Sequence, residues 1–371
     1  MQQQVVTSAM NGSEAARFEA FGRALDALRA EVESQVGAED AAYINRIGNI
    51  SSACEVVGRS LIHFSLDPVT FGLGVTALWF HKALELMEIG HPALHGAYDN
   101  LPGAEKYNSD KFHWKAPVDE ASWKASHNLR HHQWTGIAGK DPDINFGQLR
   151  LSEHVPHKLA HALQPLSNII TAFGFGTALN VQVTGMIDLY FKYDGKPLEV
   201  LPDKKPETVR AAQKAFFSKF LRYYGKEYVF FPLLAGPFAP KVALGNLIAE
   251  VARDVYAAAI IYCGHVGATD YPEGTEAKGR GQWYAMQVEG SLDVEVSPLV
   301  SVLTGGLDHQ IEHHLFPRMP PNRLRKIRPQ VREICAAHGI NHRTDSWSNT
   351  LRNVLRELRR LAKPVGSAHA A

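Results

Sequence analysis

The spacing of histidines constrains this chain more than anything else in it. His313 and His314 stand side by side within the segment Gly305–Pro317, and His309 lies four residues before His313. The same H-x-x-x-H-H spacing recurs at His127, His131 and His132, and His91 and His95 also stand four apart. With 18 histidines in 371 residues, shuffling gives about 0.04 copies of that six-residue pattern per chain. Two are present. Adjacent imidazoles with a further donor one helical turn upstream can aim several nitrogens at one point, so a metal site is the leading expectation. The competing reading is a scatter of surface and capping histidines.

Composition narrows the class. Net charge is +1, which gives no electrostatic case for nucleic acid. Cys54, Cys263 and Cys335 are far apart and odd in number. That argues against a disulfide framework and fits a reducing compartment. Met1–Met10 has no basic stretch followed by an apolar run, so no secretory signal is expected. No Pro/Gly/Ser-rich linker and no fixed-period repeat divides the chain. Mean hydropathy is slightly negative, low for a polytopic membrane protein. Residues 162–187 form the one long uncharged run; its Gln, Asn, Ser and Thr weaken it as a spanning segment. The pattern suits a chain that dips into a bilayer and carries a large polar cap.

Ser13 can cap a helix in which Phe18, Phe21, Leu25, Leu28 and Val32 fall on one stripe. Residues 50–90 hold two apolar arms separated by Asp67 and Pro68, long enough for two crossings at about 1.5 Å per residue. Glu55 and Arg59, four apart, suit mutual neutralisation facing protein. Pro92 biases His91 away from helical dihedrals, so a break near Gly90 and a restart are expected. On a helix His127 and His131 align, and His132 is turned by about 100°. Asp141 and Asp143 follow. Carboxylates commonly orient ligand imidazoles through the second ring nitrogen; a solvated turn is the alternative. His157 and His161 lack an adjacent pair and read as the start of an interfacial helix.

Residues 192–226 carry an excess of Lys and Arg, which places them on the cytoplasmic side. Residues 228–264 form a second pair of apolar arms, turning near Gly245 and Asn246. Arg253 and Asp254 should be buried in protein there, and His265 emerges at the end as a further ligand. If all histidine clusters share one site, an even number of crossings separates His132 from His265. Residues 162–187 should then lie in the interface or re-enter. A basic helix follows over 322–338. A last helix over 346–363 sets Leu351, Val354, Leu355, Leu358 and Leu361 against Arg352, Arg356, Arg359 and Arg360. It suits either anionic lipid or packing on the cap.

At its histidine clusters the chain resembles the membrane fatty acyl desaturases. Gln310–Pro317 resembles the third histidine box of the front-end and linoleoyl-CoA type, in which Gln stands where other desaturases carry His. Gly90–His95 resembles the first box, Ser126–His132 the second, and Cys263–His265 the additional histidine segment before the third. The resemblance runs over residues 50–340 and keeps box order and spacing. It implies an all-α integral membrane fold, with about four transmembrane helices in two hairpins under a cytosolic helical cap that holds a histidine-rich di-iron site. Residues 1–49 would be an N-terminal amphipathic segment, 50–340 the desaturase domain, and 341–371 a basic helix and tail. Carried over, the ligands of two iron ions would be His91, His95, His127, His131, His132, His265, His313 and His314. Gln310 occupies the variable first position of the third box, beside the unusual His309. Pro92 stands where a helix-friendly residue is expected. No His-Pro-Gly-Gly haem motif is present, so the electron donor would be separate, a ferredoxin or small haem protein with its reductase.

The ligand type sets the chemistry. Neutral imidazoles suit iron, and an unactivated methylene has no proton that a side-chain base can remove. The oxidising power must come from the metal and dioxygen, which is cofactor chemistry. Asp141, Asp308, Glu312 and Glu88 are the carboxylates expected to orient the ligand rings. The expected activity is O2-dependent desaturation of an acyl chain on CoA or lipid, at a site on the cytoplasmic face of the membrane. A hydroxylase on the same scaffold would differ by gain of oxygen rather than loss of two hydrogens. A non-redox zinc protein needs only three or four ligands, fewer than the sequence offers.

Overall fold

A long amphipathic helix opens the chain. The computed structural model, which describes residues 2–146, 149–190 and 200–364, places helix α1 at Gln2–Ser34. Its stripe of Phe21, Leu25, Leu28 and Val32 is buried with Tyr284, Val288, Ile311 and Phe316. Ser13 lies inside α1 rather than capping it, because the helix continues upstream. Helix α2, Ala38–Phe64, runs without interruption across residues 49 and 50, the boundary expected between the N-terminal segment and the central domain.

Asp67 starts helix α3, Pro68–Leu84, by accepting from the backbone N–H groups of Val69 and Thr70, with Pro68 in the first turn. Helices α2 and α3 cross at Gly58 and Gly74, where an added Cβ would meet the partner helix backbone at 2.6 and 2.8 Å. Only glycine allows that approach. The expected break at Gly90 does not occur. The helix passes through a π turn, Glu85–Gly90, into His91–Leu94. His91 keeps helical dihedrals, φ −56° and ψ −57°. The wide turn absorbs the missing N–H and the ring of Pro92 without ending the helix.

Residues 162–187 do not form one span. Helices α4, Gln164–Phe173, and α5, Phe175–Val183, are separated at Gly174. Gly185 turns the chain again, at φ +73°. Helix α6, Pro206–Gly225, extends through a π turn, Lys226–Phe230, into Phe231–Leu233. After the short turn Gly236–Phe238 comes helix α7, Ala239–His265. Gly245 and Asn246 therefore lie inside α7. Pro232, Pro237 and Pro240, with Gly236 at φ +52°, set the turn about ten residues earlier than expected.

The cap is completed by helices α8, Arg280–Glu289; α9, Pro298–Thr304; α10, Gln310–Leu315; α11, Pro321–Ala337; and α12, Trp347–Leu361. Arg323 clasps Asp40 at 2.8 Å and Arg325 clasps Glu88 at 2.8 Å, tying α11 to the hairpin of α2 and α3. Helix α12 buries Val354, Leu358 and Leu361 in protein and leaves Arg352, Arg356 and Arg359 exposed. Among the described residues, β-structure is limited to two short pairs, Asn145–Phe146 with Leu149–Arg150 and Asp293–Glu295 with Thr344–Ser346, and an isolated bridge between Ile137 and Tyr271.

The fold is thus mostly helical and holds two hairpins, α2 with α3 and α6 with α7. The expectation of four transmembrane helices needs correction at the level of single helices. Among the described residues, none is long and apolar enough to cross a membrane. Inward-facing charges interrupt them. Arg59 joins Glu55 to Glu227, Lys82 joins Glu227 to Glu250 at 3.0 and 2.8 Å, and fully buried Arg253 pairs with Glu250 and Asp254.

Gly305 adopts φ +69° between α9 and the third histidine cluster, and an added Cβ would lie 2.3 Å from the carbonyl oxygen of Met87. Gly305→Ala is expected to cost about 2 kcal/mol or more of stability. Thermal unfolding in detergent checks this, and an unchanged melting temperature contradicts it.

Candidate metal centre

Three helical segments and the end of α7 deliver the histidines to one place. His91 and His95 leave the top of the α3 helix with their Nε2 atoms 3.3 Å apart. His127, His131 and His132 come from a π-helical stretch, Lys124–His131, continued by His132–Trp134. The π register has more residues per turn than an α-helix. It brings both His131 and His132 round towards His127, rather than turning His132 away. The rings of His127 and His131 stack at 4.9 Å, and His132 Nε2 lies 3.2 Å from His127 Nε2. His313 and His314 come from α10 and His265 from the last turn of α7.

Two groups result. His91, His95, His127 and His313 each offer a nitrogen within 4.8 Å of the others, and so do His131, His265 and His314. The amide end of Gln310 lies 2.8 Å from His265 Nε2 and joins the second group. His132 lies between them, stacked on His314 at 4.4 Å and 4.8 Å from the His313 ring. All nine residues singled out from the sequence are thereby gathered. His309 is not among them; it turns to Asp308, Nε2 to Oδ2 3.3 Å. His157 and His161 stay apart. His157 Nε2 lies 3.0 Å from the carbonyl of Ala362, and His161 Nδ1 accepts from the N–H of Lys158.

Asp141 Oδ1 lies 2.9 Å from His131 Nδ1, while its Oδ2 accepts from the N–H of Gly136. Asp143 Oδ2 lies 3.5 Å from His127 Nδ1 and 3.6 Å from His131 Nδ1, so one carboxylate faces a ring from each group. Gln287 Oε1 and Thr135 Oγ1 flank His314 Nδ1 at 3.1 Å, and the carbonyl of Gly290 faces His265 Nδ1 at 3.3 Å. Nothing in the sequence marks Thr135 or Gln287. The other expected carboxylates serve elsewhere. Asp308 accepts from Thr304 and faces His309. Glu312 faces His342 at 3.0 Å beside Asp293, and Glu88 holds Arg325 and Tyr43. Glu312 turns to His342 rather than to the two histidines that follow it.

Burial pushes His91, His95, His132, His313 and His314 well below the ordinary histidine value, and neighbouring imidazoles add to the shift. His265 falls to about 3 for the same reasons. These rings are neutral, the form that binds metal. Burial also lowers His131, but Asp141 and Asp143 outweigh it and carry His131 up to about 9. A bound cation would take the place of that proton. The buried nitrogens His131 Nε2 and His313 Nε2 have no hydrogen-bond partner. Orphaned nitrogens in a set of eight imidazoles and one amide fit transition-metal ions.

An apolar cavity borders both groups. Leu86, Met87, Trp114, Phe146, Phe175 and Leu307 line it, and His91, His127, His131 and His265 open onto it. Its lining is apolar, the chemistry that suits a hydrocarbon segment beside the histidines.

Comparison with known proteins identifies the family. The family described as Fatty acid desaturase matches residues 68–346. The chain is 32% identical over 361 residues to an NADPH-dependent stearoyl-CoA 9-desaturase of Mycobacterium tuberculosis, covering 94% of this chain and 81% of that protein. It is 25% identical to an sn-1 linoleoyl-lipid 6-desaturase of Arthrospira platensis over 75% of this chain and 72% of that one. With a Delta(8)-fatty-acid desaturase 2 of Arabidopsis thaliana it shares 28% identity over 67% of this chain and 56% of that one. No solved structure matches. The chain belongs to the fatty acid desaturase family, and it is an oxidoreductase that desaturates acyl chains.

Asp141→Asn keeps the shape of the carboxylate but loses its charge opposite His131. Metal affinity is expected to fall about 10- to 100-fold, read as metal retained after dialysis against a chelator; equal retention contradicts the orienting role. The metal-free protein also has a defined pH response. Histidines with depressed folded values contribute stability above pH 6.5, which is lost as the pH falls. His131 has the opposite sign: its contribution is present below 6.5 and lost as the pH rises through about 9. The melting temperature of the metal-free chain should drop steeply from about pH 7 to 5.5 and only gently from about 7 to 9. A rise on acidification would contradict the burial of neutral rings.

Proposed function

We propose that the chain is an O2-dependent, membrane-embedded acyl desaturase with two iron ions. His91, His95, His127 and His313 would hold one iron; His131, His265 and His314, with Gln310, would hold the other; and His132 stands between them. The observation that carries this reading is the pair of buried histidine groups bordering one apolar cavity. When bound, the irons supply, with dioxygen and two external electrons, the oxidising power that removes two hydrogens from adjacent methylenes. The chain's own residues do the rest. Met87, Phe146, Phe175 and Leu307 hold the acyl segment and exclude water. Asp141 and Asp143 fix the rings of His131 and His127 through their second nitrogens.

Exposed apolar side chains support embedding in a bilayer. Phe64, Leu66 and Val69 cap the first hairpin, 81%, 92% and 72% exposed, and Leu233, Leu234 and Phe238 cap the second. Helix α4 adds Leu166, Ile169, Ile170 and Phe173. The charges within the hairpins face one another, which removes the main cost of placing them at that depth. We take the cap and the metal site to face the cytoplasm. The relative named as NADPH-dependent supports electrons arriving from a reduced nicotinamide through a reductase and a ferredoxin or small haem protein. Relatives named for CoA and lipid substrates favour an acyl chain on one of those carriers.

The test is product mass. Detergent-purified protein supplied with iron, oxygen, stearoyl-CoA or a stearoyl phospholipid, and an NADPH-driven ferredoxin system should yield a product lighter by two hydrogens. His131→Ala and His313→Ala should yield none. A product heavier by one oxygen would replace desaturation by hydroxylation.

A further inference from the structure

Two tryptophans stand in line behind the first histidine group. Trp123 is 2% exposed. Its ring stacks on His127 at 4.5 Å and 26°, and meets His95 edge-on at 5.1 Å and His91 at 5.6 Å. Trp114 meets Trp123 edge-on at 5.5 Å. The indole N–H of Trp114 donates to the carbonyl of Glu85 at 2.9 Å, which fixes the ring. Trp114 borders the apolar cavity and also a polar cavity of about 310 Å³. Lys115 and Lys226, which line the polar cavity, are 42% and 48% exposed, so water reaches it. The second histidine group has no such neighbour. Among the described residues, no tryptophan, tyrosine or phenylalanine ring is stacked on or edge-on to His131, His265 or His314, which meet only other imidazoles.

Packing asks only for an aromatic ring at these positions. Indole adds an electron that can be removed. Tryptophan and tyrosine are among the side chains most readily oxidised by one electron, and phenylalanine is not. Rings in van der Waals contact pass an electron without a bond being made. The need for such a path follows from the reaction. An oxidant able to take hydrogen from a methylene also attacks protein when no acyl chain is in place. The thioether of Met87 lines the same cavity, and methionine is converted to its sulfoxide by such oxidants.

We propose that Trp123 and Trp114 form an electron path that discharges the oxidised metal centre when no acyl chain is bound. The inference rests on the acyl-desaturase reading and adds a protective function to it. Trp123 gives one electron to the centre and becomes a radical cation, and Trp114 gives one electron to Trp123. The carbonyl of Glu85 is no base, so the N–H of Trp114 keeps its proton. A small water-soluble reductant, a thiol or an enediol such as ascorbate, restores Trp114 from the polar cavity. Two passages supply the two electrons that the methylenes otherwise give. With two electrons from the external donor and four protons from water, one dioxygen becomes two waters.

Freeze-quenched electron paramagnetic resonance of the full chain tests it. Iron-loaded protein in detergent, reduced with dithionite and freed of the excess, is mixed with oxygen in the absence of acyl substrate. An organic radical is expected whose signal changes with ring-deuterated tryptophan and not with ring-deuterated tyrosine. Whichever of stearoyl-CoA and a stearoyl phospholipid is desaturated should suppress it at saturation. Trp123→Phe should lose the radical and gain sulfoxide at Met87, read by peptide mass spectrometry, at unchanged iron content. Trp123→Tyr should restore a radical, now sensitive to deuterated tyrosine. Should Trp123→Phe lose iron, the labelled unaltered chain still decides. A tyrosine radical in the unaltered chain, a radical that persists under saturating substrate, or one undiminished in Trp123→Phe/Trp114→Phe overturns the proposal. Desaturated product without any radical overturns the electron path alone. A tryptophan radical without product counts against the catalytic reading alone, and neither radical nor product from the iron-loaded chain overturns both.

Discussion

Ring nitrogens of His91 and His95 lie 3.3 Å apart, those of His127 and His132 3.2 Å, and those of His265 and His314 3.2 Å, in an interior with little exposed surface. A neutral imidazole has one donor and one acceptor, so a crowd of them cannot satisfy every nitrogen from within. Metal ions bound to the two groups would satisfy the inward-facing nitrogens. Much of the surrounding structure serves that arrangement. Asp141, Asp143, Gln287, Thr135 and the carbonyl of Gly290 occupy the outward-facing nitrogens and turn the others inward. Clasps at Arg323 and Arg325 hold α11 against the first hairpin, and the Gly305–Gly306 turn presses the third cluster against Met87 and Glu88.

Helix register carries the same logic. Two of the three segments that carry the paired and spaced histidines contain π turns or run directly from one, at Glu85–Gly90 and Lys124–His131. In the first, the wide turn lets Pro92 sit between His91 and His95 without breaking the helix. In the second, it gathers three histidines that an α-helix would splay. Such turns sacrifice regular hydrogen bonding and recur at functional sites for this reason. They also connect the site with the hairpins, because the same helix that ends in His91 and His95 carries Lys82 into the buried ionic network below.

The gathering of the histidines was largely legible in the sequence because they form local repeats. Spacing alone singled out His91, His95, His127, His131, His132, His313 and His314, and position at the end of an apolar arm singled out His265. What spacing could not give was register. The break expected at Gly90 followed from Pro92 and the residue before it, and a π turn made both compatible with a continuous helix. The turn placed near Gly245 followed from a glycine within an apolar run, yet that glycine faces Ile62 and Phe71 in a helix contact, and prolines upstream make the turn. Glu312 and Asp308 were chosen for proximity in sequence. In the fold Glu312 turns to His342 and Asp308 to Thr304 and His309 instead. Thr135 and Gln287 left no trace, because single polar residues carry no periodic signal.

The central claim is that the two histidine groups hold two irons. Its most direct test is the iron and zinc content of the detergent-purified full chain after anaerobic iron loading, measured beside His313→Ala. The account predicts about two irons per chain and a sharp loss in the variant. One zinc per chain with no iron, or iron retained in full by His313→Ala, would contradict it.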